Sequence, residues 1–105
     1  QSPSGFSNGP TAAEVQGDWV IRFLDHLRTT GQTCFEAEPD THEAWGRHID
    51  EIAAMTLFPK ADSWYMGANI PGKPRQLLNY PSVVGYAEIC DQVAEAGYRG
   101  FRLSA

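Results

Sequence analysis

At 105 residues the chain has room for one domain with one modest core, because a domain of this length buries only about 60 to 70% of the surface its unfolded chain exposes. Hydrophobic residues make up 42% and charged residues 20%, a globular composition that excludes wholesale disorder and fibrous architectures. The formal net charge of -5 repels phosphate backbones, so no nucleic-acid partner is expected.

The first ten residues form a turn-rich Ser/Pro/Gly stretch. They lack an initiator Met, as expected of a piece of a longer chain, and carry neither the basic flank nor the apolar run of a signal peptide. No apolar run anywhere reaches the length of a membrane span, so no membrane partner is expected. Thr11 and Glu14 have capping-box spacing, and Val15, Trp19, Val20, Phe23, Leu24 and Leu27 then recur at three- and four-residue intervals, which predicts an amphipathic helix over 11–30. Gly31 should stop it, since glycine takes the left-handed conformation of a helix C-terminus without a clash.

Thr33 to Ala37 reads as a short extended piece. A second helix over 40–58 follows, with Asp40 as its cap, Trp45, Ile49, Ile52 and Ala53 as its buried stripe, and Pro59 as its end. From 58 to 81 no period is sustained and prolines and glycines recur, which predicts a long loop. Trp64, Tyr65 and Met66 are too apolar for a merely solvated linker, so the loop should dock on something. A third helix over 82–97 carries Tyr86, Ile89, Cys90 and Val93 on one face, and Phe101 and Leu103 mark a strand in the tail 98–105. The fold class is thus mostly α with a short strand or two.

Two places offer chemistry. Residues 4–10 lead straight into a helix start, where free N–H groups and the positive dipole end favour an anionic or electron-rich ligand, although such a turn also feeds capped helices that bind nothing. In the loop, Lys60, Lys73 and Arg75 flank the aromatic cluster, offering charge for phosphates beside a flat surface; alternatively Trp64 and Tyr65 pin the loop to the core. His26, His42 and His48 lack paired-ligand spacing and are read as solvated or capping, so no metal is assigned. Cys34 and Cys90, distant in sequence and set among apolar residues, are read as reduced, buried thiols in a cytoplasmic setting. With no GxSxG, P-loop or GxGxxG, nothing assembles a complete active site and no residue is assigned a catalytic role.

The stretch from Thr56 to Arg75, TLFPKADSWYMGANIPGKPR, closely resembles the C-terminal stretch of Baeyer-Villiger monooxygenases, the phenylacetone and cyclohexanone monooxygenase family. Ser2-Pro3-Ser4-Gly5-Phe6-Ser7-Asn8 resembles that family's active-site turn and Gly97-Tyr98-Arg99-Gly100-Phe101 its ending, so the likeness covers essentially the whole chain. It implies a C-terminal segment of the FAD-binding region of an α/β flavoprotein with two dinucleotide-binding domains. The implied reaction uses FAD, NADPH and O2 to insert one oxygen atom into a ketone, giving an ester or lactone. By the same resemblance, Ser4, Gly5, Phe6, Leu78 and Asn79 line the ketone pocket, Asn8 and the Gly9 backbone meet the flavin, and Trp64 contacts NADP from a mobile control loop over 58–81. The chain is one residue shorter than the family pattern between Tyr80 and Tyr86. No residue here matches the glycine fingerprints or the FxGxxxHxxx(W/P) signature, which lie upstream in the family. The expected partners are therefore the remainder of the FAD and NADP domains and a small ketone. The segment alone is expected to be inactive, with its loop displaced when those domains are missing. The other reading is a non-catalytic helical module that binds a protein partner.

Overall fold

Asn8, and not Thr11, caps the first helix. Its Oδ1 accepts from the Thr11 backbone N–H at 3.2 Å, and Pro10, which has no N–H to lose, occupies the first turn of α1 (Gly9–Thr30). In this computed structural model, which describes residues 1–105, α1 ends as expected at Gly31, whose φ of 71° is left-handed. The chain continues through β1 (Cys34–Ala37), α2 (Pro39–Ala54), two single-turn 3-10 segments at Phe58–Lys60 and Trp64–Met66, α3 (Val83–Glu95) and β2 (Phe101–Ser104). The mostly helical reading stands.

The second helix departs from expectation at both ends. Its capping position is Glu38, which makes no side-chain cap bond, and Asp40 sits inside the first turn. It stops at Ala54, ahead of Pro59, because Thr56 turns the chain: its hydroxyl donates to the Ala53 carbonyl at 2.7 Å and accepts from the Phe58 N–H at 3.2 Å. The third helix starts as expected, with Ser82 Oγ accepting from the Gly85 N–H at 3.0 Å. The two strands pair antiparallel, Cys34 opposite Ser104 and Ala37 opposite Phe101. A two-stranded sheet covers little, so β1 stays exposed and Cys34 is an exposed thiol, not a buried one. Cys90 is half-buried, and burial pushes its thiol pKa up.

Two apolar clusters hold these elements. Phe23, Leu27 and Tyr98 form one, with Trp19, Phe101 and Leu103 against it. The Trp19 indole N–H donates to the Cys90 carbonyl at 2.9 Å and fastens α1 to α3. Tyr98, at φ 60°, is a non-glycine residue in the left-handed region, a conformation costing about 1–2 kcal/mol that its packing on Phe23 must offset. The second cluster is Ile49, Ala53, Met66, Leu77 and Tyr80. Three of these five come from the stretch 58–81, so the segment expected to be displaced is packed into the core. Aperiodic sequence hid this, because single 3-10 turns and isolated buried side chains leave no repeat.

A radius of gyration of 15.4 Å exceeds the roughly 13 Å of a compact domain of this length, and the extents are 46 × 28 × 21 Å. The molecule is an elongated slab. Along α1, Val20 and Leu24 remain 47% and 54% exposed, so two of the six residues of the stripe expected to be buried lack cover within the chain, and Ile21 beside them is 66% exposed.

Candidate functional site

The N-terminal turn lies against the end of the long loop. Ser2 and Asn79 form a parallel bridge, the Tyr80 N–H donates to the Ser2 carbonyl at 3.1 Å, and the Ser4 hydroxyl donates to Asn79 Oδ1 at 2.7 Å. Gln16 Nε2 reaches back from α1 to the Pro3 carbonyl at 3.0 Å, so the turn is tied on two sides. Asn79 is buried at 1% exposure, and its Nδ2 has no hydrogen-bond partner.

Aromatic rings fill the space between turn and loop. Phe6 packs on Phe58 and on Tyr65, with ring centroids 4.5 and 4.4 Å apart. Trp64 stacks on Tyr65 at 4.0 Å and 23°, yet its indole stays 60% exposed. The 3-10 turn that carries both rings is capped by Ser63 Oγ, which accepts from the Tyr65 N–H, and is closed by Gly67 at φ 69°. The Tyr65 carbonyl then accepts from the Leu78 N–H at 2.8 Å. Ser4, Gly5, Phe6, Leu78, Asn79 and Trp64 are thereby gathered on one side of the molecule.

A polar cleft of about 600 Å³ opens beside the turn, lined by Ser2, Ser4, Gly5, Ser7, Gly9 and Gln16 among others. A Cβ added at Gly9 would meet nothing within 4 Å, so the backbone there borders open space. Asn8 spends its Oδ1 on the helix cap and keeps Nδ2 free to donate. A second cleft of about 440 Å³ runs under the 3-10 turns between Asp50, Thr56, Lys60, Met66 and Arg75. Arg75 is ion-paired with Asp62 and so is less free than the sequence suggested, whereas Lys73, whose stem lies over Gly67, stays exposed with no ion pair. Two of the three histidines are less solvated than expected: His48 Nε2 lies 3.1 Å from the Tyr80 hydroxyl, and His26 packs against Tyr98, whereas His42 is exposed.

No family model matches the chain. Its whole length is 42% identical to cyclopentanone 1,2-monooxygenase of Comamonas sp. (strain NCIMB 9872), of which it covers 19%. Over 92% of its length it is 44% identical to acetone monooxygenase (methyl acetate-forming) of Gordonia sp. (strain TY-5), covering 18% of that protein. The closed crystal structure of a cyclohexanone monooxygenase superposes on the entire chain with a TM-score of 0.90 at 35% identity. The chain belongs to the Baeyer-Villiger monooxygenases. It corresponds to their C-terminal portion and spans about one fifth of the relatives it matches. A cyclohexanone monooxygenase from Rhodococcus sp. Phi1 bound to NADP+ also superposes over the full chain, with a TM-score of 0.90 at 31% identity.

Within this monooxygenase segment Tyr65, which the sequence offers only as a pin of the loop, sits between Trp64, Phe6 and the Leu78 backbone and so belongs to the gathering of turn and loop residues as well.

Proposed function

We propose that this segment supplies one wall of the flavin and ketone pocket, together with the NADP control loop, of an FAD- and NADPH-dependent Baeyer-Villiger monooxygenase. The observation that carries the reading is the joining of residues 4–6 to residues 64–79 on one side of the slab, with the Trp64 indole left outward. A ligand wall needs this combination of rigid backing and an uncommitted aromatic face.

The residues fit the cofactors. The open backbone at Gly9, the free Asn8 Nδ2 and the N-terminal end of α1 suit the electron-rich edge of a flavin, and the polar cleft beside them leaves room for it. Trp64 offers a ring for NADP. FAD, reduced by NADPH, would activate O2, transferring one oxygen atom to the ketone and releasing the other as water. The chain's own residues position and shield: Phe6 and Leu78 exclude water from the ketone, and Trp64 closes over the nicotinamide nucleotide. Val20, Ile21 and Leu24 of α1 form the face on which the upstream four-fifths of the family's polypeptide packs.

Calorimetry on the 105-residue segment and on the full-length polypeptide tests this. The full-length protein should bind FAD and oxidise NADPH with ester formation. The segment should bind neither cofactor tightly, because one wall leaves most of a ligand wet. Sub-micromolar FAD binding by the segment alone would overturn the reading.

A further inference from the structure

We propose that Tyr65 is a positioning residue that couples the cofactor side of the control loop to the ketone side of the turn. The proposal rests on the functional reading above and assigns a role to a side chain that reading leaves idle. Tyr65 is the one residue in contact with both halves of the site. On one face its ring stacks on Trp64 at 4.0 Å. On the other it packs on Phe6 at 4.4 Å, and its hydroxyl approaches the turn so closely that a Cβ added at Gly5 would lie 2.6 Å from it. Its carbonyl accepts from the Leu78 N–H at 2.8 Å.

This arrangement transmits displacement. A ligand that presses on Trp64 cannot move that ring toward the core without moving Tyr65, and Tyr65 has no slack against Gly5 and Phe6, because packed rings pass strain instead of absorbing it. The Ser4–Asn79 bond and the Ser2–Asn79 bridge hold the far side of the turn. Binding at Trp64 therefore orders residues 4–6 as well as the loop. By thermodynamic reciprocity, a ketone seated on the turn must strengthen binding at Trp64 by the same factor.

The test is amide hydrogen exchange on the full-length, FAD-loaded enzyme with and without NADP+. In the wild type, NADP+ should slow exchange both in the loop around 64–66 and in the turn around 4–6, the latter by about fivefold or more, the lower end of typical coupling between sites. Tyr65→Phe should keep both effects. Tyr65→Ala should keep protection of the loop and lose that of the turn. Phe6→Leu removes the same contact from the other side with Tyr65 intact, and it decides the matter if Tyr65→Ala fails to fold. Turn protection that survives in folded Tyr65→Ala or in Phe6→Leu, or that is absent in a wild type whose loop is protected, overturns the coupling alone. A wild type in which NADP+ protects neither segment overturns the assignment of the loop to NADP and the coupling with it.

Discussion

Ser4 and Asn79, 75 positions apart, meet through a 2.7 Å hydrogen bond in which the serine hydroxyl donates to the buried amide oxygen. Because Asn79 Nδ2 has no partner, this bond is the only one the side-chain amide makes. Ser4→Ala should strand the whole buried amide and cost about 1–3 kcal/mol in denaturant unfolding. Ser4→Ala combined with Asn79→Leu, close in shape but without polar groups to satisfy, should recover most of that loss. Strict additivity of the two substitutions would mean that the bond contributes nothing.

Two glycines meet close neighbours for different reasons, and their alanine variants should respond differently. At Gly5 the obstacle is a single atom, the Tyr65 hydroxyl at 2.6 Å, behind which the nearest ring carbon is at an ordinary 3.6 Å. Gly5→Ala should therefore destabilise the wild type but be rescued by Tyr65→Phe. At Gly100 a Cβ would lie 2.7 Å from Thr41 Cγ2, and the backbone itself sits at φ 98°. Trimming Thr41 should relieve the clash yet leave the backbone strain of about 1–3 kcal/mol. Thermal unfolding of the four single and two double variants checks both statements.

Burial, and secondarily the nearby Cys90, push the Tyr86 phenol up to about 12. An unfolded tyrosine ionises near about 10, so the folded state disfavours the phenolate. The stabilising contribution is complete below that value and fades as pH rises from about 10 toward 12. Stability measured across this alkaline range should fall, and Tyr86→Phe should flatten the part of the fall that Tyr86 causes.

The helices were legible wherever periodicity and punctuation agreed. Phe23 and Leu27, Ile49 and Ala53, and the glycine stop at Gly31 all follow from spacing alone. Caps were read less well: Thr11 has the right spacing to Glu14, but Asn8 binds more directly, and Asp40 lost its role because Pro39 had already begun the helix. The loop was opaque to any pattern argument. Met66 is buried apart from Leu77, Asn79 and Tyr80, with no period to link them, and the contacts of Tyr65 depend on how the chain folds back from Leu78 to Ser4. Its bulk marked Trp64 as a residue that must dock, but the NADP role proposed for it comes only from the family resemblance.

In the reading proposed above Trp64 lies on the lid over the nicotinamide nucleotide, and its 60% exposure in this chain leaves the ring available. Replacing it should remove a stacking surface and an N–H donor together, worth about 1–3 kcal/mol of closure, while the core loses little. The direct measurement is NADPH oxidation and ester formation recorded side by side in the full-length wild type and Trp64→Ala, with thermal unfolding of both. If Trp64 is the lid residue, ester formed per NADPH falls, the missing reducing equivalents appear as hydrogen peroxide, and stability barely changes. An unchanged ratio with a collapse in thermal stability would contradict it, making Trp64 a structural anchor.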